Sequence, residues 1–285
     1  MDEISLINDH AHALGVAVPT VERRLVPDEP ANVSGVYWGT DPGLVVLHGA
    51  RLDAHTWNGV LLRLGVPAVA YDLPGHGHSR HLAPDEYTVS TMAGILAHAI
   101  RHDVLQDFTL VGHSLGAMVS IALAARHQLP VKRLVLLDAT PHGLGGLPGD
   151  PVIPIQHVGT LDELVDAVHA EAPGRDRQSL LRGVSRNVRE RSDGLVEWRW
   201  DPRFRDSAQL RRTEKFEVWK SLASLDVPIT LIRGDRSKLV TNAMTEEFLQ
   251  FVPQATVEVA PQSGHNVHTD AAAWMAAWLS ALPEM

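Results

Sequence analysis

The chain has 285 residues, 45% hydrophobic and 21% charged, enough apolar material for one sizeable α/β core with an insertion. Its formal net charge of −9, with no block of Lys or Arg, excludes the electrostatic footprint that nucleic-acid binding needs. There is no cysteine, so disulfides, thiolate nucleophiles and Cys-ligated metals are excluded, and stability must come from packing.

The first residues, Met1-Asp-Glu-Ile-Ser, lack the basic start and apolar run of a signal peptide, and no apolar run is long enough to span a bilayer. A soluble cytoplasmic protein with no membrane partner is the expectation. Residues 1–18 read as a short helix. The segments from Glu22 to Val26 and from Val33 to Trp38 are expected as antiparallel edge strands. Near-continuous apolar runs then recur from Leu44 to Leu47, Ala68 to Tyr71, Phe108 to Val111, Arg133 to Leu137, Ile229 to Ile232 and Thr256 to Val259. Runs of that kind belong to a sheet covered on both faces. Between them, residues from Thr88 to Leu105, Ser114 to His127 and Asp270 to Leu282 carry apolar side chains at helical spacing. The alternation predicts right-handed crossovers and an α/β fold with a mostly parallel, eight-stranded sheet. It breaks after Pro141, where glycines and prolines cluster as far as Pro154. Residues 142–225 are therefore expected to form a helical cap inserted between two parts of the core, 1–141 and 226–285.

The most informative motif is Gly112-His113-Ser114-Leu115-Gly116, which follows the run from Phe108 to Val111 and opens the Ala-rich stretch from Ala117 to Ala125. This places a serine at a sharp strand-to-helix turn, the G-x-S-x-G nucleophile elbow. Such a hydroxyl needs a nearby base, because it is a poor nucleophile near neutral pH. With Leu47-His48-Gly49, the stretch from Asp72 to Ser79 containing Pro-Gly-His-Gly, and the late Ser263-Gly264-His265, the motif makes the chain resemble the α/β-hydrolase superfamily in the right order over nearly the whole core.

The resemblance implies Ser114 as nucleophile and His265 as its base, in that fold's order of nucleophile, acid and histidine. Members usually carry the acid three residues after a glycine ending the penultimate strand, but here Gly234-Asp235-Arg236-Ser237 puts serine there. Two aspartates are candidates: Asp138, at the end of the strand from Leu134 to Leu137, where some relatives carry their acid and which is preferred, and Asp235 as its rival. The backbone N–H groups of Leu115 and Ala50 are the implied oxyanion donors. The implied activity is hydrolysis of a carboxylic ester or related small acyl substrate through an acyl-enzyme, with no metal or organic cofactor. A lyase, cyclase or C–C hydrolase using the same parts, and a ligand-binding protein with degraded catalysis, stay open as alternatives.

Weaker signals surround this set. Arg51, His55 and Trp57 are candidate substrate contacts; a surface ion pair for Arg51 and helix packing for the other two are the competing readings. His48 is expected as a buried residue pinning its loop, and His268 as facing solvent or capping the last helix. His10-Ala-His12 and His76-Gly-His78 with His81 lack a recognisable metal-ligand spacing. Trp198, Trp200, Phe216 and Trp219 are expected to form a small core within the cap.

Overall fold

The computed structural model describes residues 3–17, 20–26, 32–104, 106–141, 157–171, 173–174, 176–203 and 215–283. Helix α1 (Glu3–Leu14) precedes strands β1 (Val21–Val26), β2 (Val33–Trp38) and β3 (Leu44–Leu47). A 3-10 turn (Ala54–Trp57) leads into α2 (Asn58–Leu64), followed by β4 (Ala68–Tyr71), α3 (Val89–Asp103), β5 (Phe108–His113), α4 (Leu115–Arg126) and β6 (Val131–Leu137). After the insertion come α7 (Lys215–Ala223), β10 (Ile229–Gly234), α8 (Asn242–Phe251), β11 (Thr256–Ala260), α9 (Val267–Asp270) and α10 (Ala272–Ser280).

The eight strands form one sheet in the order β1-β2-β4-β3-β5-β6-β10-β11. Strand β2 runs antiparallel to both β1 and β4, and every other pairing is parallel. The apolar runs are continuous because the sheet is sandwiched: one apolar cluster joins Leu110, Leu134 and Leu231 to α3, α4 and α7, and another joins Val46, Val111 and Ile232 to α1, α2 and α10. Strands β3, β4 and β5 are entirely buried.

The insertion departs from the purely helical cap expected. Helices α5 (Leu161–Glu171) and α6 (Arg177–Arg186) pack against a three-stranded antiparallel sheet of β7 (Val158–Gly159), β9 (Val196–Trp198) and β8 (Val188–Glu190). These strands are only two or three residues long, too short to leave an alternating pattern that a sequence reading could detect. Leu164, Val165, Leu180, Val184, Trp198 and Trp200 form a separate small core there, as expected for the two tryptophans. Trp219 does not join it. Helix α7 packs on α4, and Trp219, buried in the core of the main sheet, stacks at 4.9 Å on the half-exposed Phe251. The side chain of Phe216 and the Gly/Pro-rich residues 142–156 lie outside the described residues.

Among the described residues no helix is long and apolar enough to cross a membrane.

Candidate active site

Ser114 occupies the turn between β5 and α4 with φ 52° and ψ −116°. A non-glycine residue at positive φ is strained, and its surroundings must hold it there. Close backbone packing does so. A Cβ on Gly112 would lie 2.4 Å from the Gly116 carbonyl and Ser120 Oγ, and one on Gly116 would lie 2.5 Å from the His48 carbonyl. Both motif glycines are thus required for lack of space. The loop after β3 presses on the same point, where a Cβ on Gly49 would meet His113 Nδ1 at 2.6 Å and Ser114 Cβ at 3.2 Å. Leu115 begins α4 beside this loop, and Ala50 follows Gly49.

His265 lies in the loop between β11 and α9, with Nδ1 2.8 Å from Asp138 Oδ2. Since a carboxylate only accepts, Nδ1 carries a proton in this bond. Asp138 is 1% exposed and sits at the end of β6 with φ 45°. Its other contacts are donors: the Gly234 N–H at 3.1 Å to Oδ1 and the Ser237 hydroxyl at 2.6 Å to Oδ2. Ser237 is therefore a hydrogen-bond donor to the carboxylate that arrives from β6.

Asp235 faces another way. Its two oxygens accept the Gln262 and Ser263 N–H groups, each at 2.9 Å, and these bonds, Gln262's first, hold its carboxyl below the usual range. Asp235 thereby shapes the loop that presents His265. Gly234 is part of the same construction, because a Cβ there would lie 2.2 Å from the Gly264 carbonyl.

Three other histidines are buried near Ser114, and His113 and His268 line the cavity. His48 is fully buried, with Nδ1 2.7 Å from the Gly49 carbonyl and Nε2 accepting the Leu73 N–H at 2.9 Å, so it pins its loop as expected. His113 lies between the rings of His265 and His268, at 4.6 and 4.4 Å, and its Nε2 donates to the His265 carbonyl at 2.9 Å. Burial first, and then the neighbouring imidazoles of His268 and His265, push its pKa well below the ordinary 6.5, so it stays neutral. His268 overturns its sequence expectation. It is fully buried, bonded to Thr56 Oγ1 at 2.8 Å and stacked on Trp57 at 4.6 Å, because the one-turn helix α9 turns it under the 3-10 turn. An isolated histidine in a polar loop carries no signal for such an inward turn.

A cavity of about 650 Å³ lies between the sheet and the insertion, lined by Ser114, His265 and Ala50 on one side and by Leu180, Val184, Trp198 and Trp200 on the other. Arg51 and His55 also reach it. The backbone of Arg51 ties the two layers together, donating to His76 Nε2 at 3.0 Å and accepting from Asn187 Nδ2 at 2.7 Å. His55 is bonded to Glu3 at 2.8 Å and lies 3.1 Å from Arg23. Trp57 is fully buried in the apolar layer with α1 and α2, which favours its packing role.

A profile of the alpha/beta hydrolase family matches residues 44–278. The chain belongs to this family. It is 34% identical over 283 residues to Esterase Rv0045c of Mycobacterium tuberculosis (strain ATCC 25618 / H37Rv), covering 95% of this chain and 92% of that protein. A solved structure of that M. tuberculosis esterase superposes with a TM-score of 0.85 at 32% identity, covering 98% of this chain and 97% of the other. A thioesterase domain from the curacin biosynthetic pathway is similar with a TM-score of 0.76 at 26% identity, covering 91% of this chain and 99% of that domain. The protein is accordingly a hydrolase.

Proposed function

We propose that this hydrolase cleaves small carboxylic esters through a Ser114–His265–Asp138 triad and an acyl-enzyme. The observation that carries the reading is the Asp138–His265 bond at 2.8 Å beside a positive-φ Ser114 in one cavity. The carboxylate fixes the tautomer with Nε2 unprotonated, the form that takes the Ser114 proton as its oxygen attacks the ester carbonyl. The imidazolium then protonates the departing alkoxide, and water repeats the sequence on the acyl-enzyme. Developing charge on the carbonyl oxygen is met by the Leu115 and Ala50 N–H groups, each worth about 3 kcal/mol in the transition state, with the N-terminus of α4 adding to the field. Asp138 serves as the acid in place of Asp235, whose oxygens are engaged by loop backbone. The insertion acts as a cap that shapes the substrate pocket. The alignment with a mycobacterial esterase supports the ester class.

A fluorophosphonate is expected to label the protein once, on the peptide carrying Ser114. Ser114→Ala should abolish labelling and lower ester turnover by about a thousandfold or more. Full turnover by a folded Ser114→Ala protein overturns the proposal.

A further inference from the structure

The same cavity has a strongly one-sided charge. Arg51, Arg63, Arg182 and Arg186 line it, against Asp53 as the single carboxylate among the described lining residues. Arg186, from the last turn of α6, is partly buried, whereas Arg51, Arg63 and Arg182 are exposed. Its Nε is buried with no hydrogen-bond partner, and one NH2 group reaches the Leu6 carbonyl at a long 3.3 Å. Asp53 attracts it from a distance while its Oδ1 accepts the His55 N–H. His10, from α1, has an equally partnerless buried Nδ1. Its pKa is pushed down to about 4 by burial first and then by Arg186, Arg63 and Arg182, which line the same cavity. A desolvated guanidinium with unmet N–H groups is costly unless an anion completes it.

We infer that the wall of the cavity built from α1, α2 and α6 binds an anionic group carried by the ester substrate, with Arg186 as its principal ligand. This rests on the ester reading, because Ser114 and the arginines share one cavity. The substrate class is then an ester with a second, negatively charged end, a dicarboxylic monoester being the simplest form. Arg186 takes a carboxylate through its fork of donors, while Arg63 and Arg182 add field.

The test compares the mono-p-nitrophenyl ester of adipic acid with p-nitrophenyl hexanoate, which has the same carbon count and leaving group but no charge. Wild-type protein is expected to prefer the adipate ester. Arg186→Gln should lower the adipate-to-hexanoate ratio of kcat/KM by about tenfold or more, chiefly through KM. Taking the ratio within one preparation removes any loss of folded protein from the comparison. An unchanged ratio overturns the anion site while leaving the ester reading intact. If neither ester is turned over, the ester reading fails by itself, and the site is judged by calorimetric titration of adipate, with inorganic phosphate in a parallel arm. Binding of either anion that Arg186→Gln removes supports the site and shows whether carboxylate or phosphate fits it. Equal binding by both proteins, or none by wild type, overturns it.

Discussion

At the scale of single residues, the two candidate aspartates differ in what they touch. Asp138 accepts from His265, Ser237 and Gly234 at the end of β6, whereas Asp235 accepts only backbone N–H groups in the histidine loop. Asp138→Asn is expected to lower kcat by about a thousand- to ten-thousandfold, because an amide no longer secures the Nδ1-protonated tautomer. Asp235→Asn has one acceptor oxygen where the carboxylate has two, so it sets its NH2 against one of the Gln262 and Ser263 N–H groups, and should loosen the loop and leave most of kcat. Steady-state kinetics of both variants on one ester decide between them, and the reverse ranking would make Asp235 the acid. The motif Gly112–Gly116 disclosed the serine because a tight turn needs glycine at fixed offsets. The serine at position 237 already favoured Asp138 over Asp235 in the sequence, but the contact with His265 itself depends on β6 and β10 being neighbours, which no local pattern states.

At the scale of elements, buried bonds among the described residues fasten the insertion to the core. Asp201, 1% exposed, accepts the Tyr87 hydroxyl at 2.6 Å, and its N–H donates to the Gly75 carbonyl at 2.8 Å. Gly75 has φ 81°, and a Cβ there would strike the Tyr87 ring at 2.5 Å, so this junction admits no larger residue. Asp201→Ala removes the acceptor of the Tyr87 hydroxyl proton, though the hydroxyl still accepts the Leu82 N–H, and is expected to cost about 1–3 kcal/mol in urea unfolding. It should also raise KM for esters, while labelling of Ser114 by a small fluorophosphonate persists. Unchanged KM with the stability loss would show that the insertion does not shape the pocket. The strands and helices of the core were legible from buried apolar runs and helical spacing. The cap's small sheet was not, because β7, β8 and β9 are stabilised by one another and by Trp198 packing, which no short run of residues announces.

At the scale of the whole molecule, the interior holds many histidines as neutral groups. Burial pulls His76 down to about 3 and His10 to about 4, and moves His48 and His113 in the same direction. An unfolded chain binds protons at these positions near 6.5, before the folded one does, so folding stability falls as pH drops below about 6.5 towards 4. Each such histidine contributes up to about 1.4 kcal/mol per pH unit across that window. Glu3 adds to the loss below its ordinary 4.5. Burial would raise its pKa, but hydrogen bonds from His55 and Arg23 hold it far lower, so its contribution is present above that value and disappears on acidification. Urea unfolding at a series of pH values is expected to show a steep decline from pH 7 to pH 5, and a flat profile would contradict the neutral buried histidines. The same network ties α1 to the sheet through Glu3–Arg23 and Arg23–Asp72, both at 2.6 Å.

By itself the sequence determined that a serine would stand at a strand-to-helix elbow in a parallel α/β sheet, because close backbone approach demands glycine at 112 and 116 and double-sided burial demands unbroken apolar strands. Those are local constraints, written into neighbouring residues. The tertiary structure decided which carboxylate meets His265, that His268 turns inward, and that arginines from the core and the cap line one cavity with His10. Each of these joins residues far apart in the chain, where neither spacing nor composition carries information about distance.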